Sequence, residues 1–465
     1  MKNMHADSIL KPGRNCLGIS GVDSTGIIFD GRDYYRAFYE CALRAERTII
    51  ISGWQFDSNV KLVRGADADG ASATGFLDFL KSLCDKKPDL KVYILAWDYH
   101  LIFFMEREWT QNSTFSSAHE RIFFRFDHRH AFAASQHQKF VVIDGHIAFA
   151  GGMDICDGRW DDRSHTADNP LRVDSGGRAY GAYHDLQSYH TGPVVAKLME
   201  LFKKSWKDST GGEELTFPAM AGEDVFHGVE FGSPIHAKAV AISRTQARSL
   251  FRIKRPVREI RRLYTDAILS AKEFIYIENQ YFTSYAIYRA IVRKMKSSQA
   301  GFQIVIVLPK KEGTLLERIH TGISQNRMLN SLKRVARRRR HRIGIYYPAS
   351  VAKGGVEAPV YIHSKLMLID EHFLTLGSAN TTNRSMGLDT ELNVSWEATG
   401  DGARAISRSL LNIRTELLTE HTGAHSQAEI KRLGKTKDLV AHLESVADRP
   451  SGKLRRLKAK RPNIL

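Results

Sequence analysis

At 465 residues with 43% of them hydrophobic, the chain is long enough to build two lobes with sizeable cores. Its formal charge of +17, from 68 basic and 51 acidic residues, points to an anionic partner: a phospholipid surface, nucleic acid or a phosphorylated small molecule. No run approaches the roughly 18 apolar residues of a membrane span. The four cysteines (Cys16, Cys41, Cys84 and Cys156) are too scattered for a CxxC metal site or a disulfide framework.

Met1–Asp7 shows no charged region followed by an apolar run, so no Sec-type signal is expected, and no transmembrane segment. The expectation is a cytoplasmic or peripheral-membrane protein, with non-Sec secretion left open. A turn at Asp30-Gly31 opens an amphipathic helix from about Arg32 to Glu46, followed by buried strands at Ile49–Ile51, Val92–Ala96 and Phe140–Ile143. Leu186 to Lys207 is read as one helix closing a first lobe, and Gly211–Gly232 as the lobe boundary. The order then recurs: helix Glu259–Lys272 and strands Phe274–Ile277, Ile304–Leu308 and Leu366–Ile369. Strands separated by helices predict an α/β fold, a pseudo-twofold duplicated α/β/α sandwich with a mostly parallel sheet in each lobe. The expected boundaries are 1–225, 226–421 and a basic, helical or flexible tail over 422–465.

A short pattern fixes the duplication. His137-Gln-Lys139 followed by Asp144 recurs as His363-Ser-Lys365 followed by Asp370, with the same spacing and an offset of 226 residues. Six of the 18 positions from His137 to Asp154 are identical to those from His363 to Asn380. The same offset aligns Tyr39–Ala45, before Ile49 and Ile51, with Thr265–Ala271, before Ile275 and Ile277. Such self-similarity marks two copies of one unit, each carrying half of an active site.

Residues i and i+2 of a strand share a face, so His137 projects with Lys139 and His363 with Lys365. Two imidazoles facing each other across a cleft at the lobe interface, with two ammonium groups, suit a phosphodiester. The lysines offset charge on the phosphate oxygens, one imidazole attacks phosphorus, and the other protonates the departing alkoxide. Asp144 and Asp370 count with the catalytic set as part of the motif, although their odd offset points to bracing the turn or a neighbouring helix. The turns Gly151–Asp154 and Gly377–Asn380 allow close backbone approach, so Asp154 and Asn380 are candidates for phosphate binding. Each imidazole needs a carboxylate to fix its tautomer. Asp185 and Glu391 are the candidates, and which histidine each serves is open. No Cys/His/carboxylate cluster stands at metal-ligand spacing, so neither metal nor cofactor is expected.

These residues resemble the phospholipase D superfamily, whose mark is two HxKxxxxD motifs. The likeness runs from about residue 14 to 420 and includes Gly151-Gly152, Arg159-Trp160-Asp161, His184-Asp185, Glu278-Asn-Gln-Tyr-Phe282 and Gly377–Ser385. It is nearest to soluble phospholipase D of the bacterial and eukaryotic type. The resemblance implies a phosphohistidine on His137, acid/base work by His363, hydrolysis of phosphatidylcholine or phosphatidylethanolamine to phosphatidic acid, and transfer of the phosphatidyl group to alcohols. Asp154 departs from the Asn found in many members. The alternatives are a cardiolipin synthase-type transferase, a nuclease, which the Glu278–Phe282 block disfavours, and, least favoured, a non-catalytic lipid-binding module. A phospholipid substrate, peripheral contact with an anionic membrane, a monomer and no nucleic-acid partner are the accompanying expectations.

Overall fold

The computed structural model describes residues 8–68, 74–98, 111–127, 134–217, 226, 228, 230–247, 256–310, 315–449 and 452–458. Met1–Asp7, most of the boundary stretch beyond Phe217 and the tail beyond Lys458 lie outside the described residues. Two sheets repeat one strand order. In the first, Thr48–Gly53, Lys91–Trp97 and Ile122–Asp127 run parallel. Phe140–Ile143, Ile147–Gly151, Leu186–Thr191 and Thr25–Phe29 continue it antiparallel. In the second, Phe274–Glu278, Gln303–Val307 and Arg342–Val351 are the parallel strands. Leu366–Ile369, Phe373–Gly377, Glu391–Glu397 and Ala239–Gln246 are the antiparallel ones.

Each sheet is therefore mixed, and the reason is local. After Ile143 the chain turns back within three residues, and after Ile369 it does the same, so these strands pair as hairpins without a helical crossover. Asp144 and Asp370 make the turns with left-handed backbone, φ 50° and 51°. Such a conformation costs about 1 kcal/mol in a residue with a Cβ. Three backbone amides bonded to each carboxylate offset that cost. Asp144 accepts from Glu46, Arg47 and Thr48 at 2.6–2.8 Å, and Asp370 from Lys272, Glu273 and Phe274 at 2.7–3.0 Å.

The lobes exchange edge strands. Gly18–Gly21, near the start of the chain, pairs with Ala239–Gln246 in the second sheet, while Ser233–Pro234 pairs with Thr25–Phe29 in the first. Both faces of each sheet are buried. Ile49, Ile51, Val141 and Ile143 pack on the first lobe's own helices, and Ile275, Ile277, Met367 and Ile369 on those of the second. The inner faces, with Ile50, Phe140 and Val142 from one sheet and Leu366, Leu368 and Trp396 from the other, share a central core with helices Val194–Thr210 and Ala403–Thr422.

The stretch Leu186–Lys207, expected as one helix, is two elements. Leu186–Thr191 is a central strand, and the helix begins only at Val194, because Gly192 (φ 85°) and Pro193 break the chain between them. The tail forms helices Gln427–Lys435 and Leu439–Ala447, and Leu454–Arg456 adds a strand to Arg342–Val351. All four cysteines are buried free thiols. Among the described residues no helix is long and apolar enough to cross a membrane.

Candidate active site

The two motif histidines are held reciprocally by the opposite lobes. The His137 N–H donates to the Thr390 carbonyl at 2.8 Å, and the next residue, Glu391, places Oε2 2.9 Å from His137 Nδ1. In the same way the His363 N–H donates to the His184 carbonyl at 2.8 Å, and the next residue, Asp185, places Oδ2 2.5 Å from His363 Nδ1. Short parallel pairings fix both registers: Gln136 with Thr390, and Tyr361–Ile362 with Tyr183–His184. Each carboxylate thus serves the histidine of the other lobe.

His137 Nδ1 also lies 3.0 Å from the Ser378 carbonyl, and Ser378 Oγ binds Glu391 Oε2 at 2.5 Å. Both neighbours of Nδ1 are acceptors, so Nδ1 carries the proton and Nε2 keeps its lone pair. At His363 two groups compete for Nδ1, since Lys365 Nζ is 2.8 Å away. We assign the Nδ1 proton to the shorter contact with Asp185. Lys365 Nζ instead donates to the His363 carbonyl.

Burial and then Lys365 depress the His363 pKa well below the ordinary imidazole value, against the pull of Asp185. Burial lowers Lys365 to about 7, with Asp185 opposing and Lys139 and Arg159 reinforcing. Burial alone would raise Asp185, but His363 and Lys365 outweigh it and hold its pKa below the usual carboxylate value.

The motif residues His137, Lys139, His363 and Lys365 are brought together, and the two lysines feel each other's charge. Their environments differ. Lys139 Nζ is 2.8 Å from Asp154 Oδ2 and lies over the Trp54 ring, while Asp154 Oδ1 accepts the Trp54 N–H at 2.7 Å. Asp154 is therefore committed to Lys139 and to the turn, and a carboxylate has no N–H to offer a phosphate. At the matching position of the second lobe, Asn380 has a buried Oδ1 without a hydrogen-bond partner. Asp144 and Asp370 lie a strand away from the imidazoles, spent on the amides described above. Their role is to brace the element that follows each long helix.

The Glu278–Phe282 block supports the second motif from behind. Glu278 Oε2 accepts from Ser364 Oγ at 2.7 Å, Asn279 Oδ1 accepts the Thr381 N–H at 2.9 Å, and Gln280 Nε2 donates to the Tyr361 hydroxyl at 2.8 Å.

Sequence reasoning assigned no role to Arg159, whose guanidinium lies over the Tyr183 ring and whose charge reaches His363 and Lys365. It also missed a buried cluster behind Asp185, built from Asp30, His165, His184, Glu278, Glu420 and His421. The expectation that no metal-ligand cluster exists came from sequence spacing, and these residues lie up to 391 positions apart. One signal was available. Asp185 follows His137 by 48 positions whereas Glu391 follows His363 by 28, so the first lobe carries 20 extra residues where Arg159, Asp161, His165 and Arg172 reside.

A family model described as Phospholipase D matches residues 41–299, and one described as Cardiolipin synthase, PLD-like domain, matches residues 264–411. The chain is 24% identical to phospholipase D alpha 2 of Oryza sativa subsp. japonica over 78% of its own length and 60% of that protein. It is 25% identical to phospholipase D A of Dictyostelium discoideum over 86% of its length and 36% of that protein. The chain thus spans well short of the full length of these relatives. In fold it resembles phosphatidylserine synthase of Haemophilus influenzae Rd KW20, with TM-score 0.51 at 12% identity, over 90% of this chain and 92% of that one.

Proposed function

The chain belongs to the phospholipase D superfamily, and from that premise we propose that it cleaves the distal phosphodiester bond of glycerophospholipids through a phosphohistidine. The substrate class is phosphatidylcholine or phosphatidylethanolamine, and the products are phosphatidic acid and the free head group. The observation that carries the reading is the reciprocal hold of each motif imidazole by the other lobe's carboxylate. It orients two histidines independently, as one nucleophile and one acid/base require.

His137 is the nucleophile, with Nε2 aimed by the two acceptors at Nδ1. The N–P bond forms as the bond from phosphorus to the head-group oxygen breaks, and His363 gives the departing alkoxide its proton. Water then loses a proton to His363 and attacks phosphorus, releasing His137 and phosphatidic acid. Burial and the Lys365 charge favour the neutral form of His363. The negative phosphate arriving beside it opposes that shift and favours the protonated form. Lys365, Lys139, Arg159 and Asn380 neutralise or bind the non-bridging oxygens. A primary alcohol replacing water yields the transfer product.

The family model over the second lobe, described by a cardiolipin synthase, favours a second reading in which the physiological acceptor is a lipid alcohol rather than water. Incubation with phosphatidylcholine, phosphatidylethanolamine, phosphatidylglycerol and plasmid DNA, with and without ethanol, separates the readings. Phosphatidic acid, and phosphatidylethanol when ethanol is added, are expected from the first two lipids. Cardiolipin from phosphatidylglycerol alone would favour the synthase. DNA nicking without lipid turnover would sink both.

A further inference from the structure

Behind the site, four side chains converge from distant parts of the chain: Asp30, His165, His184 and Glu420. All are buried, and one ligand-type atom from each lies within 4.8 Å of the others. Each has its outward atom already engaged. Asp30 Oδ1 accepts the Asp185 N–H at 3.2 Å, His165 Nδ1 meets Asp161 Oδ2 at 2.9 Å, His184 Nε2 meets Glu278 Oε2 at 3.1 Å, and Glu420 Oε2 accepts from Arg163 Nε at 2.9 Å.

The inward atoms are left facing one another. His165 Nε2 is 3.1 Å from Glu420 Oε1 and 3.4 Å from Asp30 Oδ2, and His184 Nδ1 is 2.6 Å from Glu420 Oε1. His184 Nδ1 also lies 2.9 Å from Asp30 Oδ1, while the fully buried Asp30 Oδ2 makes no hydrogen bond. Two imidazoles whose far nitrogens are fixed by carboxylates, with near nitrogens aimed at two further carboxylates, form the outer and inner shells of a metal site. A tetrahedral ion with bonds of about 2.0–2.1 Å separates its ligands by about 3.4 Å. The separations of 3.4, 3.1 and 2.6 Å lie within about 0.8 Å of that value.

Charge agrees. Of the carboxylates of Asp30, Asp161, Glu278 and Glu420, Asp161 pairs with Arg172, and Glu420 with Arg163, which Glu416 also contacts. One divalent ion offsets the charges of Asp30 and Glu278 when the histidines are neutral. The neighbouring set His184, Glu278 and His421 is a weaker candidate, because Glu278 is already saturated by Tyr276, Ser364, His184 and His421.

We propose that Asp30 Oδ2, His165 Nε2, His184 Nδ1 and Glu420 Oε1 bind one structural divalent transition-metal ion of the Zn2+ type. The ion joins three residues of the first lobe to the closing helix Ala403–Thr422 of the second. It also supports His363 indirectly, since Asp185 follows His184 and donates its N–H to Asp30.

The test uses full-length protein made in zinc-supplemented medium and purified without chelator. About one Zn2+ per chain is expected by mass spectrometry, retained through EDTA dialysis of the native protein because the site is enclosed, and released on unfolding. Protein refolded with Zn2+ should melt several degrees above protein refolded without it. Refolding with Co2+ should give the visible absorption of four-coordinate cobalt, and Glu420→Gln and His165→Gln should abolish both metal content and absorption. Native wild-type protein without bound transition metal would overturn the proposal whatever the variants do, leaving imidazolium protons to balance the carboxylates. A zinc anomalous-scattering peak located elsewhere in crystals of the loaded protein would overturn it equally. Neither readout depends on lipid turnover, so failure here leaves the reading of the cleft intact.

Discussion

His137 and His363 differ in what surrounds them, and their substitutions should differ accordingly. His137→Ala should remove turnover and all covalent intermediate, because it deletes the imidazole assigned as nucleophile. His363→Ala should lower kcat by the roughly 10²–10⁴-fold typical of lost general acid–base catalysis, and should still accumulate phosphohistidine from a substrate whose leaving group needs no proton. Rapid quenching without acid, then peptide mass spectrometry, checks this, and label on His363 would reverse the roles. Lys365 supplies the pH dependence. Its pKa, lowered by burial to about 7, means the ammonium is present below neutrality and lost as pH rises through that value. For a soluble phosphodiester, kcat/KM, which reports the free enzyme, should fall on the alkaline side with a midpoint near there. Lys365→Arg, always charged, should move that limb upward, and a profile flat across neutrality would contradict the assignment. Asp154→Asn makes the first lobe match Asn380 of the second. Freed of its carboxylate, Lys139 should bind inorganic phosphate about tenfold tighter, roughly 1.4 kcal/mol. The fold should lose on the order of 3 kcal/mol with the buried pair. Titration calorimetry and a melting curve read the two effects separately.

The turn Gly151-Gly152 shows how closely the elements set the site. A Cβ on Gly152 would overlap the Asp185 carboxylate, the group that holds His363. Gly152→Ala should lower kcat by about 10–100-fold, as loss of an orienting partner does, with KM little changed. An unaltered kcat would show that Asp185 can move without consequence. Much at this level was legible in advance. Phe140–Ile143 and Leu366–Ile369 are strands with the boundaries their apolar runs indicate, and the 226-residue offset also relates Thr48–Gly53 to Phe274–Glu278 and Ile147–Gly151 to Phe373–Gly377. Leu186–Thr191 was not legible as a strand. Its Gln187, Ser188, His190 and Thr191 are polar yet buried, and each has a hydrogen-bond partner distant in sequence. Ser188 Oγ donates to the Ala150 carbonyl at 2.6 Å, and His190 bonds Ser188 and Thr25 while burial lowers its pKa to about 3. A pattern of apolar residues cannot announce a strand whose polar groups pair across a sheet. The same limit hid the crossed pairing of Asp185 with His363 and of Glu391 with His137. Those contacts span 178 and 254 positions and depend on how two lobes face each other, which no local signal encodes.

The exchanged edge strands and the crossed carboxylates tie the two lobes together, so the cleft is built from both. The chain has a formal net charge of +17. The run Arg337–Arg340 lies exposed where helix Leu315–Arg338 ends, and adjoining Arg342 pairs with Asp438 at 2.9 Å. A cluster of guanidinium groups outside the cleft suits an anionic bilayer, where each contributes on the order of 1 kcal/mol and is screened within about 10 Å. Vesicle binding should therefore weaken steeply between low and physiological salt. Replacing Arg337–Arg340 by Gln should lower activity on anionic vesicles severalfold while leaving a monomeric soluble phosphodiester untouched. The soluble substrate is the control that gives the comparison its meaning, since it needs the cleft but not the surface. Equal loss on both would show that the cluster supports the fold, where His341 is already buried against Met295. Unchanged activity on both would leave the four arginines as a solvated helix end, and the membrane contact would have to be sought on another face of the molecule.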